Sequence, residues 1–420
     1  MSGKSQKKPA RNKLSLQECF INELQANRSE FPTSSKNFLK EKPDLEEGFS
    51  FPGQSFLRKF RKDQKIPVAV LGASGLVGQV FIQLLSDHPF FELVLATATS
   101  ENEGKKIGDL DLIQKISGLA TTEVPQTIKN MPIRKTSLNT IKESGARIIF
   151  CALPAGEART LETKLRQAGF FIFTNASAHR MDRDVPILIP EVSFSHLPLL
   201  LIQKKKYGGF IAAGSNCCVA GLSLALKPLM DFGLKRVRVT TFQSISGAGR
   251  KGLPALDISG NLIPFIDQEE EKIIRETPKI LGFLQQSSII PQSFEVHPAC
   301  VRVPILQGHL LDVEIDFQRV PTLNDVQEAL GQQQGLVRLR LPSAPQRALI
   351  LRFEPDRPQP ASDLWAGHPQ RARGMAVSLG RVRQLNNTVR FFLLTNNLIR
   401  GAAGNCLLAA ELALALGYLT

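Results

Sequence analysis

Ile66-Pro-Val-Ala-Val-Leu71-Gly72-Ala73-Ser74-Gly75-Leu76-Val77-Gly78 is the stretch whose reading decides the fold. Ile66–Leu71 is a short apolar run rich in β-branched residues, the pattern of a strand buried on both faces. Three glycines follow at three-residue spacing, and Val80 to Leu85 then recur at helical spacing. The segment therefore reads as strand, tight turn and helix. Gly72 permits the turn, Gly75 lets a pyrophosphate approach the backbone, and Gly78 lets the helix pack on the strand. Free N–H groups at the helix start face any bound phosphate. A purely structural strand-to-helix turn can also use three glycines, so the context has to decide.

The context is an α/β alternation. Glu92–Thr97, Arg147–Leu153 and Phe170–Asn175 read as strands, and Ala158–Gln167 reads as an amphipathic helix. Ile187–Glu191 and Phe210–Ala213 are further short apolar runs. Strands alternating with helices predict a Rossmann-type, doubly wound parallel sheet. Beyond about residue 235 the character changes. Arg236–Ser246, Leu311–Phe317 and Arg390–Thr395 carry β-branched and aromatic residues with few helices between them. They predict a second, α+β domain on a mixed or antiparallel sheet. Gly401–Leu416 is rich in Ala and Leu and reads as a helix. The expected division is residues 65–216 for dinucleotide binding, completed by a C-terminal helix within 397–420, and 217–396 for catalysis and dimerisation.

Length and composition agree with two domains and a tail. The chain has 420 residues, of which 43% are hydrophobic and 21% charged, with a formal net charge of +14. No apolar run is long enough to predict a membrane span. The first 65 residues hold 14 Lys or Arg and 8 Asp or Glu with no sustained period. Residues 1–64 are expected to be a basic, disordered extension with one short helix near Leu14–Leu24. Its first seventeen residues are basic and free of acids, as transit peptides are, but a solvated tail is the favoured reading. Basic residues without interleaved aromatics, and no nucleic-acid module after them, argue against a nucleic-acid arm. Six cysteines without a CxxC pair are no disulfide framework, so a reduced compartment, the cytoplasm, is expected. No HExxH or clustered Cys/His spacing occurs, and no metal is expected.

The most informative stretch for chemistry is Phe210-Ile-Ala-Ala-Gly-Ser-Asn216-Cys217-Cys218. A strand meets Gly-Ser-Asn, and a helix with apolar residues follows. Asn216 is a good N-cap. Cys217 then occupies the first helical turn, where the macrodipole favours thiolate. From these residues alone, a nucleophile and a pair of small buried fillers both remain open.

Several further stretches follow one another along the chain. They are the glycine turn, Asn175-Ala-Ser-Ala-His-Arg-Met-Asp182, Ser215-Asn-Cys-Cys-Val-Ala-Gly221, Gln243-Ser-Ile-Ser-Gly-Ala-Gly249 and Ile263-Pro-Phe-Ile-Asp-Gln-Glu-Glu-Glu-Lys272. Arg302-Val-Pro-Ile-Leu-Gln-Gly-His309, Arg357-Pro-Gln-Pro360, Gly374-Met-Ala-Val377 and Asn397-Leu-Ile-Arg-Gly-Ala-Ala-Gly404 complete the series. Together they resemble the aspartate-semialdehyde dehydrogenase family, most closely its archaeal and fungal-type branch, over residues 66–420. The resemblance implies reductive dephosphorylation of L-aspartyl phosphate to the semialdehyde, through a thioester and with NADPH. This would serve lysine, threonine and methionine biosynthesis. It makes Cys217 the nucleophile, His309 the acid/base and Gln243 the residue that orients the acyl group. Arg302 matches the carboxylate-binding arginine, Glu269 the ammonium partner (with Glu270 a near-equal candidate), and Arg180 with Lys272 the phosphate site. Asn216 adds an amide donor. Gly72, Ala73, Ser74, Gly75, Leu76, Val77, Ser100, Gly247 and Asn397 match the cofactor contacts. A homodimer or homotetramer is implied, with a small-molecule substrate and neither nucleic acid nor membrane as partner.

Three departures stand out. Gly214-Ser-Asn-Cys-Cys replaces the family's usual Asn-Pro-Asn-Cys-Ser/Thr. Ser100-Glu-Asn-Glu-Gly104 lacks the family's arginine and second serine, so NADP is expected with NAD possible, and Lys105 and Lys106 could offset Glu103. Ala361–Arg373, near Trp365, fits only loosely and reads as a surface loop. The rival readings are N-acetylglutamyl-phosphate reductase, whose substrate has no free ammonium, malonyl-coenzyme A reductase, and a catalytically weakened relative that binds nucleotide or a partner.

Overall fold

The computed structural model describes residues 65–110, 124–332, 336 and 339–419. The predicted tail over 1–64, with its short helix near Leu14–Leu24, lies outside the described residues. Among these, no helix is long and apolar enough to cross a membrane.

Six strands form the first sheet: β1 (Ile66–Leu71), β2 (Phe91–Ala98), β3 (Ile133–Lys135), β4 (Ile148–Cys151), β5 (Phe171–Thr174) and β6 (Phe210–Ala213). Their order is β3-β2-β1-β4-β5-β6, and every pairing is parallel. Strand order reverses beside β1, the topological position at which such sheets take a dinucleotide. Alternate residues of the strands feed two cores. Val68, Val70, Ile148 and Phe150 pack with Val80, Phe81 and Ile82 of helix α1 (Leu76–Leu85). Ala69, Leu71, Ile149 and Ile172 pack on the other face with Ala158 and Leu165 of α2 (Ala155–Gln167). Both faces are covered, which explains why these strands read as unbroken apolar runs. Past β5, helix α3 (Pro198–Tyr207) leads into β6.

The glycine turn behaves as its spacing predicts. Gly72 has φ +81°, and a Cβ there would lie 2.6 Å from the Ala152 carbonyl oxygen. A Cβ on Gly78 would lie 2.1 Å from the Gly72 oxygen, so only glycine lets α1 pack this close.

The second sheet has the order β10-β7-β11-β14-β13-β12. Its strands are β7 (Leu234–Gln243), β10 (Glu295–Arg302), β11 (His309–Phe317), β12 (Leu349–Arg352), β13 (Val377–Leu385) and β14 (Thr388–Thr395). The small hairpin of β8 (Phe283–Gln285) and β9 (Ser288–Ile290) stands apart from it. The sheet is mixed: β7–β11–β14–β13 is antiparallel, with a parallel strand at each edge. Beyond residue 235 sequence reading found few helices, yet two from that stretch join the predicted helix after Asn216 on one face of the sheet. These are α4 (Cys217–Leu226), α5 (Glu269–Ile280) and α6 (Leu323–Gly331), contributing Val219, Ile273 and Val326 to the core with Val237, Val313 and Phe391. Among the described residues, these three helices leave the opposite face uncovered. It carries half-buried ion pairs, Arg238 with Glu314 and Asp316, and Arg390 with Asp312.

The chain ends in α7 (Gly404–Ala415), which returns to the first sheet. Its fully buried Glu411 accepts hydrogen bonds from His88 Nε2 at 2.9 Å and Ser343 Oγ at 2.6 Å. Two local expectations are corrected. Within Ile187–Glu191 only Ile187 makes a strand-like bridge, to Ala213, and Pro190 already starts a helical turn, because proline is well suited to that position. The segment 361–373 is not a plain surface loop. Its Asp363 is buried and holds the guanidinium groups of Arg357 and Arg352, and Ala372 is buried too.

Candidate active site

Cys217 sits where the two sheets meet. Strand β6 of the first sheet ends at Ala213, and Gly214-Ser215-Asn216 turns the chain into α4, which packs on the second sheet. Glycine at 214 has a local reason: a Cβ there would lie 2.8 Å from Cys406 Sγ. Asn216 caps the helix as predicted, its Oδ1 accepting from the N–H groups of Cys218 (2.9 Å) and Val219 (3.3 Å). The same cap consumes the helix-start donors nearest the thiol, so thiolate stabilisation has to come from side chains as well. Behind Cys217 lies the turn Ile399–Ala403, held so close that a Cβ on Gly401 would meet Cys217 Cα at 2.9 Å.

The second sheet supplies the facing residues through its register. Arg302, the last residue of β10, pairs with Gln243, the last of β7. His309 starts the neighbouring antiparallel strand β11, whose Leu310 pairs with Phe242. Three residues far apart in sequence thus come to one end of the sheet. His309 Nε2 lies 3.2 Å from Cys217 Sγ. On the other side of the ring, Nδ1 accepts the backbone N–H of Ser244 at 3.1 Å. A nitrogen that accepts cannot carry the proton, so the neutral ring holds it on Nε2, directed at the sulfur. Ser244 Oγ is also 3.3 Å from Nδ1 and offers an acceptor when that nitrogen is protonated.

The electrostatics favour a reactive Cys217. Its thiol is held well below the ordinary value, chiefly by the adjoining Cys218 thiol. Burial opposes this, and the His309 ring assists. Cys218 goes the other way: burial pushes its thiol well above the ordinary value, and contact with Cys217 adds to the effect. The cysteine at the open end of the pair is therefore the one poised to ionise. This is the opposite of what two inert fillers would show.

Glu269, at the start of α5, is buried among donors. Its Oε2 accepts from Asn216 Nδ2 at 2.8 Å and from Gln243 Nε2 at 3.3 Å, and its Oε1 accepts from Lys272 Nζ at 2.9 Å. Burial raises its carboxyl, but the Lys272 charge and these bonds outweigh it and keep the group below the usual carboxylate range. Glu270 points elsewhere, accepting the N–H of Cys300 at 3.0 Å. The structure thus separates two residues that the sequence left nearly equal. Arg302 is buried and donates from Nη1 to the Ser244 carbonyl at 2.8 Å. Among the described residues no carboxylate lies within ion-pair distance of it. A buried, unpaired guanidinium is costly unless a ligand brings the counter-charge.

The remaining predicted residues fall into three groups. Arg180 is buried, with Nη1 on Glu276 Oε1 at 2.8 Å and Nη2 on the Asn175 carbonyl at 2.9 Å. Gly247 and Asn397 join the Ser244–His309 region. A Cβ on Gly247 would lie 2.6 Å from Arg302 Nη1, and Asn397 ties Gly308 N–H (2.9 Å) to Ser246 Oγ (2.9 Å). The glycine turn, Gly72 to Val77, and Ser100 form the third group, at the carboxyl ends of β1 and β2. Ser100, Glu103, Lys105 and Lys106 are all exposed, and Lys105 Nζ is drawn to Asn102 Oδ1 at 3.0 Å.

Sequence reading missed four contributors. Glu276 accepts the Asn216 N–H on Oε2 at 2.6 Å while holding Arg180 on Oε1, so one carboxylate fixes both. It lies seven residues after Glu269, on the same helix face, and that spacing was the available signal. Arg400 forms a fully buried fork with Glu191 (2.9 and 2.7 Å), steadying the turn behind Cys217. Ser244 orients His309, as above. Arg250 Nη1 reaches 3.4 Å from the Ser74 carbonyl, a link from the second sheet's loop to the glycine turn that no local pattern announces.

Fold and site together define a chemical class: a thiol paired with an imidazole, mounted beside a dinucleotide-binding sheet. Comparison with known proteins agrees. Residues 67–199 match the semialdehyde dehydrogenase NAD binding domain, and residues 226–400 match the semialdehyde dehydrogenase dimerisation domain. An aspartate-semialdehyde dehydrogenase of Archaeoglobus fulgidus is 42% identical over 348 residues, 82% of this chain and 97% of its own. A malonyl CoA reductase (NADP) of Metallosphaera sedula is 33% identical over 84% of this chain and 98% of its own. The crystal structure of aspartate semialdehyde dehydrogenase with NADP from Candida albicans superposes with a TM-score of 0.74 at 32% identity. It covers 84% of this chain and 100% of that one. The chain belongs to the aspartate-semialdehyde dehydrogenase family.

Proposed function

We propose that this protein interconverts L-aspartyl 4-phosphate and L-aspartate 4-semialdehyde, using NADP and a thioester on Cys217. The observation that carries the reading is Arg302, a buried cation with no carboxylate partner among the described residues, beside the Cys217–His309 pair. The substrate's α-carboxylate supplies that charge in bidentate form. Glu269, held ionised next to Cys217's cap, receives the α-ammonium. Arg180 and Lys272 receive the phosphate.

In the forward direction the Cys217 thiolate attacks the acyl carbon. A C–S bond forms, the bond to the phosphate oxygen breaks, and phosphate leaves with both electrons. Gln243 positions the acyl group. NADPH, when bound, supplies hydride to the thioester carbon. When the C–S bond breaks, the departing thiolate is met by the Nε2 proton of His309, which is already directed at it. The glycine turn fits this cofactor, since the space a Cβ would fill at Gly72 and Gly78 is closed by backbone and the turn is bare. Gly72, Ala73, Ser74, Gly75, Leu76 and Val77 would hold the pyrophosphate, and Ser100 with Lys105 and Lys106 the 2′-phosphate. Gly247 and Asn397, beside the Ser244–His309 region, would contact the nicotinamide end of the cofactor. NAD is the weaker alternative cofactor.

The chain divides, in this reading, into residues 65–216 with 397–420, and residues 217–396. The packing of α7 on the first sheet and α4 on the second supports that division. The face of the second sheet that carries the half-buried ion pairs takes a second copy of the chain, in a homodimer or a homotetramer. Thiolate chemistry of this kind suits the reduced cytoplasm.

Malonyl-CoA reduction is the second reading, favoured by the relative from Metallosphaera sedula. That substrate has a carboxylate for Arg302 but no ammonium for Glu269. The test is the specificity constant for aspartate semialdehyde with phosphate and NADP, against that for malonyl-CoA with NADPH. The semialdehyde should be strongly preferred. A preference for malonyl-CoA would transfer the assignment.

A further inference from the structure

Cys218 stands where the family's usual residue carries a hydroxyl, and the reaction forms no covalent bond to it. The fold nevertheless brings its Sγ together with two other soft donors. Cys217 Sγ, Cys218 Sγ and a ring nitrogen of His309 all lie within 4.8 Å of one another. Sequence spacing gave no sign of this, because the histidine lies on a different strand of a different element. We propose that Cys217, Cys218 and His309 form a three-donor site for a thiophilic divalent cation such as zinc, and that its occupancy reversibly blocks the nucleophile.

The geometry is close to what such an ion needs. Zinc binds thiolate at about 2.3 Å and imidazole at about 2.0–2.1 Å, so donors round a tetrahedral ion stand about 3.5–3.8 Å apart. Small side-chain rotations therefore bring all three atoms into place. The partly exposed member is Cys217, whereas Cys218 and His309 are fully buried. A cation thus enters past the nucleophile, and its fourth position faces the way it came. The cation displaces both thiol protons, which leave to solvent past the partly exposed Cys217. The His309 proton moves from Nε2 to Nδ1, where Ser244 Oγ at 3.3 Å accepts it. The Ser244 N–H loses its acceptor in exchange, one hydrogen bond set against two metal–thiolate bonds. With a hydroxyl at 218, one thiolate and one imidazole would remain, which is a weak site for zinc.

The blocking effect rests on Cys217 being the nucleophile, but binding itself does not. The experiment therefore reads both, on the full-length reduced protein. Cobalt(II) serves as the spectroscopic probe through its thiolate charge-transfer absorption, and zinc as the inhibitor. The variants are Cys218→Ser and, as a second choice should that fold poorly, Cys218→Thr. Each is compared with its own metal-free rate. Wild type should take up one cobalt with a two-thiolate band and lose activity with zinc, recovering it with a chelator. The variants should need at least about tenfold more zinc for the same fractional loss, and their band should fall by half or more. Equal zinc sensitivity in wild type and Cys218→Ser, with an unchanged band, would overturn the proposal. A full band in a protein that does not turn over the semialdehyde would uphold the metal site and remove the functional reading instead.

Discussion

The glycine turn and the thiol site, the cofactor wall and the substrate wall of the proposed function, are built on opposite principles. The turn is local: Gly72, Gly75 and Gly78 act through backbone freedom and the absence of Cβ atoms, all within seven residues. The thiol site is non-local. Asn216, Cys217, Gln243, Glu269, Arg302 and His309 come from five segments, and each is held by a polar partner from another segment. A wall made of backbone accepts any ligand with a pyrophosphate. A wall made of mutually bonded, buried side chains accepts one charge pattern and is intolerant of losing a member. The effect of a substitution should therefore depend strongly on which wall it strikes.

The largest effect is expected at the centre of the thiol wall. Cys217→Ala should lower kcat by about 10⁴-fold or more, since the proposed thioester loses its sulfur. Cys218→Ser should cost no more than about tenfold, ~1.4 kcal/mol, because a hydroxyl can still donate to the thiolate. Steady-state kinetics on the two variants checks this. The reverse ranking would show that the neighbouring sulfur is the nucleophile. Next comes Arg302→Leu, expected to cost roughly 2–5 kcal/mol in kcat/KM by leaving the substrate carboxylate unpaired. Arg302→Lys should recover little of it, because the fork is lost. Near-native values for either variant would take Arg302 out of the substrate site.

The pH response separates the two walls without mutation. Cys217's lowered thiol pKa means that thiolate persists to lower pH than in an ordinary cysteine and is lost only as pH falls through that lowered value. Alkylation of Cys217 should therefore level off at a lower pH than that of a free thiol, whose rate climbs through about 8.5. Rates of modification by iodoacetamide across pH, with the labelled residue mapped, give the answer. Cys218→Ala should move the profile towards the ordinary thiol.

How much of each wall was legible follows from the same contrast. Strand β1, the glycine turn and β6 could be read to within a residue or two, because burial on both faces and the need for glycine are written locally. Cys217 as a helix-start thiol was legible from its Asn216 cap. The link between Cys217 and His309, 92 residues apart, was not, and only family resemblance pointed to it. Choosing Glu269 over Glu270 needed the helix phase of α5, which places one carboxylate on Asn216 and the other on Cys300. Helix α5 itself went unread, since its charged first turn and internal Pro278 hide the apolar stripe of Ile273 and Ile280. Glu276, Ser244 and Arg400 were missed because a positioning residue is defined by what it touches.

The smallest effect should appear at the cofactor wall. Glu103 is exposed beside Ser100 and opposes a 2′-phosphate, with Lys105 and Lys106 close by in sequence. One screened carboxylate at a surface matters by about 1 kcal/mol. The enzyme should work better with NADP than with NAD, by a modest ratio of specificity constants, and Glu103→Ser should increase that ratio. A ratio unmoved by the substitution would place the choice of cofactor outside this loop.

The central claim is that Cys217, alone of the paired thiols, carries the acyl group. It is tested most directly by trapping that group. The protein is incubated with aspartate semialdehyde and NADP without phosphate, quenched in acid and mapped by peptide mass spectrometry. An aspartyl adduct on Cys217, absent from Cys217→Ala and removed when phosphate is added before the quench, is the predicted result. An adduct on Cys218, or turnover with phosphate but no thioester on either cysteine, would contradict the account.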